Sequence, residues 1–294
     1  MWLFYALLMV LGWALSIVFD STLVKHYVKN PFVLMWTQSC FSLLFLSIAL
    51  PFVSLQSTWI PLLVLGGLIA YCGDLIFFLA VDRMDSSVFN IAWAFLAIIL
   101  SVVGFLLFSE SWTPLQTLGV VCVLFGVIML SYWHHHLTLP SLGLLVALAV
   151  LYSPVNVVMK AAADAGEETL TVLFWMLLAR ELCAFTFPWC LSRFRKRIAE
   201  FRMTIDGVFV LISGFVVAVY FTGEFFAVKA YSVGSISLVS VVGNIQPFIV
   251  LFLAWLLWLL APRYSSRELL DWQSVRVKLA SFCVVFVGMM LLAV

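Results

Sequence analysis

Long apolar runs, each closed by charges, proline or a polar cluster, follow one another along the whole chain. They fall at 2–19, 31–53, 59–81, 87–108, 114–132, 141–162, 169–190, 206–230, 234–260 and 274–293. Each approaches or exceeds the roughly 20 residues that an α-helix needs to cross a hydrocarbon core of about 30 Å. Strands of a membrane barrel alternate apolar and polar positions over about ten residues. These runs are continuously apolar and about twice as long, so the pattern predicts an all-α integral membrane protein of ten transmembrane helices.

The two halves repeat each other. Phe32-Val33-Leu34-Met35-Trp36 lines up with Thr171-Val172-Leu173-Phe174-Trp175, Gly73-Asp74 and Ala80 with Gly223-Glu224 and Ala230, and Phe125-Gly126-Val127 with Val287-Gly288-Met289. The offset grows from one match to the next, and its steps fall in loops, where insertions are tolerated. A five-helix unit spanning residues 1–133, a connector over 134–140 and a second unit over 141–294 follow. An odd number of helices per unit sends the second copy into the membrane from the opposite side. The result is two inverted five-helix repeats, the architecture in which secondary transporters place a central site.

Composition agrees with the membrane reading and narrows the chemistry. Of the 294 residues, 65% are hydrophobic and 10% charged, against roughly half and a quarter in soluble domains, so a soluble globular protein is excluded. A net charge of +1 gives no electrostatic case for nucleic acid. Cys40, Cys72, Cys122, Cys183, Cys190 and Cys283 lie in or beside apolar runs without paired loop spacing, so neither a disulfide framework nor a zinc site is expected. His134-His135-His136 has no second cluster of ligands at metal spacing and reads as a solvated connector. No cofactor is expected. The first residues, Met1-Trp2-Leu3-Phe4, lack the positive start of a secretory signal and lead straight into the first span.

Ionisable groups inside a span cost several kcal/mol by insertion scales and so mark candidate chemistry. Asp74, Arg180, Glu181 and Glu224 are those groups. Asp74 and Glu224 occupy equivalent repeat positions, so pseudo-symmetry brings both toward one central cavity. Tyr71 and Phe78 flank Asp74 on its helix face, and Tyr220 and Val228 flank Glu224, giving each acid an aromatic hydroxyl on its own helix. Each acid is read either as a proton- or amine-binding carboxylate or as a protonated packing group. Arg180 is read either as a fork for a substrate carboxylate or as the partner of an acid on another helix. Its neighbour Glu181, about 100° round the helix, is expected to face elsewhere and to serve packing.

Polar residues at helical spacing extend the candidate set. Trp13, Ser16 and Asp20 share a face of the first helix, as do Tyr152, Asn156 and Lys160 of the sixth. Asn90 and Trp93 lie on the fourth, and Ser237, Ser240, Asn244 and Gln246 precede Pro247 on the ninth. Such stripes suit either a cavity that recognises a polar solute or interhelical hydrogen bonds. Pro154 and Pro247 predict kinks in their helices. Glycines such as Gly67, Gly119, Gly223 and Gly288 fit close helix packing, and Trp2, Trp59, Trp112, Trp133, Trp189 and Trp272 suit interfacial belts.

Residues 109–119, Ser-Glu-Ser-Trp-Thr-Pro-Leu-Gln-Thr-Leu-Gly, followed by Leu124-Phe125-Gly126-Val127-Ile128-Met129-Leu130, resemble the end of the first repeat in EamA-type ten-helix members of the drug/metabolite transporter superfamily. The stretch Tyr231-Ser232-Val233-Gly234-Ser235 through Gln246-Pro247-Phe248 resembles the corresponding part of the second repeat, and Arg180 sits where the family often has an arginine. Two departures stand out: Leu260-Ala261-Pro262 with a polar insertion replaces the second copy's acidic motif, and Ala97 stands at the position equivalent to Pro247. The resemblance implies a transporter of a bacterial inner membrane, with a small-molecule substrate and the lipid bilayer as its partners. It further implies export of a small metabolite such as an amino acid or related amine, with coupling to protons as one option.

Two alternatives remain at this point. Superfamily relatives carry sugar phosphates, nucleotide sugars or lipid-linked substrates, which calls for several cavity cations, whereas Arg180 and Lys160 are the candidates. A non-transporting scaffold would use the acids for packing alone. An intramembrane enzyme needs a nucleophile and base or a metal set facing each other, and no such constellation is visible. Orientation is also open. Loops after helices 1, 3, 7 and 9 hold most of the cations, among them Arg83, Arg193, Arg195, Lys196, Arg197, Arg202 and Arg263, so the positive-inside rule puts both termini outside, whereas the resemblance implies both inside.

Overall fold

The computed structural model describes residues 1–28, 31–81, 86–132, 139–190, 192–202, 205–260 and 272–292. Every regular element among them is helical: α1 (Trp2–His26), α2 (Pro31–Ala49), a short 3-10 turn (Leu50–Phe52), α3 (Ile60–Val81), α4 (Ser86–Leu107), α5 (Pro114–Tyr132), α6 (Leu139–Asp164), α7 (Thr169–Cys190), α8 (Ser192–Arg202), α9 (Gly207–Val233), α10 (Ile236–Gly243), α11 (Gln246–Leu260) and α12 (Trp272–Leu292). The continuous apolar runs force this outcome, because backbone groups in hydrocarbon find partners only within a helix or a closed barrel. Among the described residues seven stretches are long and apolar enough to cross a membrane: Trp2–Asp20, Phe32–Phe52, Ile60–Phe77, Leu142–Asp164, Thr169–Cys190, Gly207–Val233 and Ile236–Leu257. Ala92–Leu107, Pro114–Gly126 and Ala280–Leu292 are shorter apolar helices. The chain is a multi-pass integral membrane protein whose lipid-facing surface carries leucines such as Leu106 and Leu211, both about three-quarters exposed.

One element resolves an open choice and another departs from the expected pattern. Residues 192–202, part of a cationic stretch that reads either as a solvated loop or as a short interfacial helix, form the helix α8, which seats Ile198 in a cluster with Leu23, Val33, Trp36 and Phe209. Phe194, one turn before Ile198, packs against Phe32 with the rings tilted and their centroids 5.4 Å apart, while Arg195 and Lys196 face outward. Four-residue spacing of two apolar side chains within a charged stretch gives the helix its one buried face. The expected single helix over 234–260 is instead broken. Pro247 has no N–H to donate to Gly243, and its ring crowds the carbonyl four residues back. The chain tightens there, with Asn244 N donating to Val241 O and Ile245 N to Val242 O at 3.0 Å each, and α11 starts anew at Gln246. α6, by contrast, runs through Pro154 without a break.

Packing follows a pattern of pairs. α1 lies on α9, α3 on α6 and α7, α4 on α6, α2 on α7 and α9, α1 on α10 and α11, α4 on α10, and α5 on α12. Exchanging α1 to α5 for α6, α7, α9, α10–α11 and α12 leaves these pairings unchanged. Glycines set the closest approaches. A Cβ on Gly12 would stand 2.8 Å from Gly223 Cα, across the α1–α9 seam. One on Gly67 would collide with the Met176 carbonyl, across the α3–α7 seam.

Candidate functional site

A cavity of about 250 Å³ lies at the centre of the bundle, walled by α1, α2, α3, α4, α6, α7, α9 and the break between α10 and α11. Its polar centre is one connected set of side chains. Arg180 Nε on α7 donates to Asp74 Oδ2 on α3 at 2.6 Å, and Arg180 Nη1 donates to the Tyr220 hydroxyl on α9. The guanidinium also lies over the Tyr220 ring, 5.0 Å from its centroid. The second oxygen of Asp74 accepts from the Tyr152 hydroxyl on α6. One turn beyond Tyr220, Glu224 accepts from the Trp13 indole of α1 at 3.0 Å. Five helices are thus joined by charge-assisted bonds, which the low dielectric of the interior strengthens and which are costly when left half-made.

Next to this centre, Glu181 Oε1 stands 3.8 Å from Arg180 Nε. Toward the C-terminal end of α1, Asp20 accepts from Gln38 of α2. Toward the opposite end, Tyr231 donates to Asn156 Oδ1 at 2.7 Å, while Lys160 reaches Asp164 Oδ1 at 2.6 Å and the Tyr231 carbonyl at 2.9 Å. Beyond them Glu110 clamps the start of α10: it accepts from the hydroxyls of Ser235 and Ser237 and from the amides of Ile236 and Ser237. Those amides are the orphan donors of a helix N-terminus, and a carboxylate is their best partner.

Of the sequence-derived candidates, Trp13, Asp74, Trp93, Tyr152, Asn156, Arg180, Tyr220, Glu224 and Gln246 line the cavity. Asn244 does not: it is buried at the helix break, where its amide donates to the Ser240 carbonyl. The side chain of Asn90 and residues His134 to His136 lie outside the described residues. Two expectations are corrected and one open choice is resolved. The hydroxyl on Asp74 comes from Tyr152, and Tyr71 instead packs with Met35 and Ala184, its hydroxyl buried without a partner. Of the two readings of Arg180, the structure shows the pairing with an acid on another helix. Glu181 borders the cavity as well as Arg180, because the cavity wraps far enough round α7 to meet faces 100° apart.

Sequence reasoning passed over Gln38, Ser42 and Tyr231. Gln38 and Ser42 are polar residues four apart inside an apolar run, and Tyr231 follows Glu224 by two turns, so the same helical-spacing signal marks all three. Among the described residues no group of three or more His, Cys, Asp or Glu is placed to hold a metal, and all six cysteines are free.

Comparison with known proteins adds a likeness in fold and a family match over part of the chain. A solved structure, described only as the crystal structure of a protein, aligns over 99% of this chain and 97% of its own, with a TM-score of 0.67 and 15% identity. At that identity the likeness shows the fold alone. No curated protein matches the sequence. Residues 1–132 match the EamA-like transporter family, with the first-repeat motif and the helices α1 to α5 inside the matched span. Over residues 1–132, somewhat under half of the chain, the protein is similar to the EamA-like transporter family.

Proposed function

We propose that the protein is a secondary transporter that exports a small metabolite, an amino acid or related amine, by alternating access to the central cavity, in exchange for protons. The observation that carries this reading is the set of ionisable groups, Asp74, Glu181 and Glu224 buried and Arg180 half-buried, gathered on one cavity at the middle of apolar helices. Such groups are expensive within a membrane and are commonly retained on a substrate or ion pathway. The size of the cavity, below the roughly 300–1,000 Å³ of pockets for drug-sized ligands, favours a small solute over a nucleotide sugar or lipid-linked substrate.

Ten spans in two inverted repeats, 1–133 and 141–294, complete the proposal. The unchanged pairing of helices on exchange of the two halves supports the repeat, and the broken α10–α11 helix beside the cavity supports a moving element. In membrane transporters irregular backbone at membrane depth accompanies a central site. The cationic loops near α8 support an orientation with both termini outside, in a bacterial inner membrane.

Counterflow in liposomes holding the purified protein tests this function. The probes are pooled labelled amino acids, amines and sugar phosphates, and the parent is run beside Glu224→Gln and Asp74→Asn. Flux of an amino acid or amine that both variants lose supports the reading. Absence of flux with every pool, or equal flux in all three proteins, overturns it and returns the carboxylates to packing.

A further inference from the structure

The charges that line the cavity are unbalanced. Among the described lining residues Asp20, Asp74, Glu181 and Glu224 face a single cation, Arg180. That cation is already paired with a carboxylate, with Nε on Asp74 at 2.6 Å, and its Nη1 donates to Tyr220. Lys160, the nearest other buried cation described, is turned away to Asp164 and the Tyr231 carbonyl and does not line the cavity. A carboxylate or phosphate entering the cavity therefore meets three further carboxylates around one cation whose charge Asp74 already matches, whereas Asp20 and Glu224 hold neutral donors only, Gln38 for the one and Trp13 and Tyr220 for the other. Each ionised carboxylate has lone pairs beyond those that such donors use.

The two carboxylates are also separated in a defined direction. Trp13, which holds Glu224, and Asp20 lie seven residues apart on one face of α1, which is roughly 10 Å along the axis. Ile17 lies between them on the cavity wall, and the rings of Trp13 and Trp93 border the same space. Two further polar side chains on the wall are unused. Gln246 is 8% exposed and Ser42 is 3% exposed, and neither side chain has a hydrogen-bond partner among the described residues. A buried amide and hydroxyl left unpaired against a cavity are sites for donors or acceptors of a bound solute.

We propose that the cavity selects a linear aliphatic amine with two ammonium groups, one held by Glu224 and the other by Asp20, with its methylene chain against Ile17 and the tryptophan rings. This rests on the transporter reading and narrows its substrate class, since a zwitterionic amino acid brings a carboxylate that this wall repels. An ammonium beside an indole face gains cation–π attraction as well.

Counterflow in proteoliposomes with labelled 1,5-diaminopentane, pentylamine, leucine and glycerol phosphate, each alone, tests it. The diamine is expected to exchange about tenfold better at low concentration than the other three, a difference of about 1.4 kcal/mol in binding. Asp20→Asn keeps an acceptor oxygen for Gln38 and so keeps the α1–α2 contact, and it is expected to bring the diamine-to-pentylamine ratio toward one. Glu224→Gln is expected to abolish diamine exchange. Exchange of leucine or glycerol phosphate without the diamine overturns the inference and leaves the transporter reading standing. A diamine preference unchanged in Asp20→Asn overturns the placement of the second ammonium. Exchange of none of the four, where a wider pool of metabolites does exchange, overturns the inference alone; silence with every pool removes the transporter reading with it.

Discussion

Arg180 Nε stands 2.6 Å from Asp74 Oδ2, so the cation of the cavity is neutralised by an acid 106 positions earlier in the chain. This pair ties α7 to α3 and leaves the remaining carboxylates to set the sign of the site. Removing one member of a buried pair strands its partner, at a typical cost of about 3–5 kcal/mol, while replacing both with apolar residues is often neutral. Arg180→Met alone is therefore expected to lower the midpoint of thermal unfolding in detergent sharply. The double variant Arg180→Met with Asp74→Leu is expected to recover most of the loss. Equal destabilisation in both proteins would contradict the pairing.

The seam between α1 and α9 sets the Trp13–Glu224 bond. Gly12 and Gly223, the residues just before them, let the backbones meet so closely that a Cβ on Gly12 would lie 2.8 Å from Gly223 Cα. Overpacking of this kind costs about 1–3 kcal/mol. Gly12→Ala is expected to destabilise by that order and to change the Trp13 fluorescence environment. Gly214→Ala, on a part of α9 with open space at the Cβ position, is expected to be neutral or slightly stabilising. Unfolding of both variants, measured side by side, checks the contrast.

The helical runs were legible because continuous apolarity of about 20 residues has few other readings. The repeat alignment then brought Asp74 and Glu224 to one cavity before any coordinates. Partner identity was not legible. Nothing local to Asp74 shows that its hydroxyl comes from Tyr152 on another helix rather than from Tyr71 on its own, since that choice depends on how α3 packs against α6. Loop and short helix stayed open for α8 because Phe194 and Ile198 are two apolar residues in a charged stretch, too few to decide without the groove they fill. Glu110 was visible only as part of a motif, and its work as the clamp on α10 depends on a chain reversal 125 residues later.

Glu110 accepts four hydrogen bonds at the start of α10, two from backbone amides. Truncation leaves those donors without a partner at a cost of roughly 1–3 kcal/mol. Glu110→Ala is expected to lower stability by at least that order and to raise hydrogen exchange at Ile236 and Ser237. Glu110→Gln keeps an acceptor oxygen and is expected to lose about half as much. Unchanged exchange in Glu110→Ala would show that the clamp does not hold α10.

The cationic side of the bundle sets the expected orientation. Glu200 of α8 is exposed among these charges, so Glu200→Cys in a cysteine-free background reports which side α8 occupies. With both termini outside, an impermeant maleimide labels this cysteine in inside-out vesicles and not in intact cells. Labelling in intact cells reverses the orientation.

Exposure of the cavity to each side of the membrane in turn tests the central claim most directly. Ser42→Cys, again in a cysteine-free background, places a thiol on the cavity wall at a residue whose hydroxyl has no described partner, so the change costs no bond. Alternating access predicts that an impermeant maleimide reaches this thiol from either side in oriented vesicles. It also predicts that added substrate raises the labelling rate from one side while lowering it from the other. Labelling from one side only, at a rate indifferent to every candidate substrate, would contradict the account.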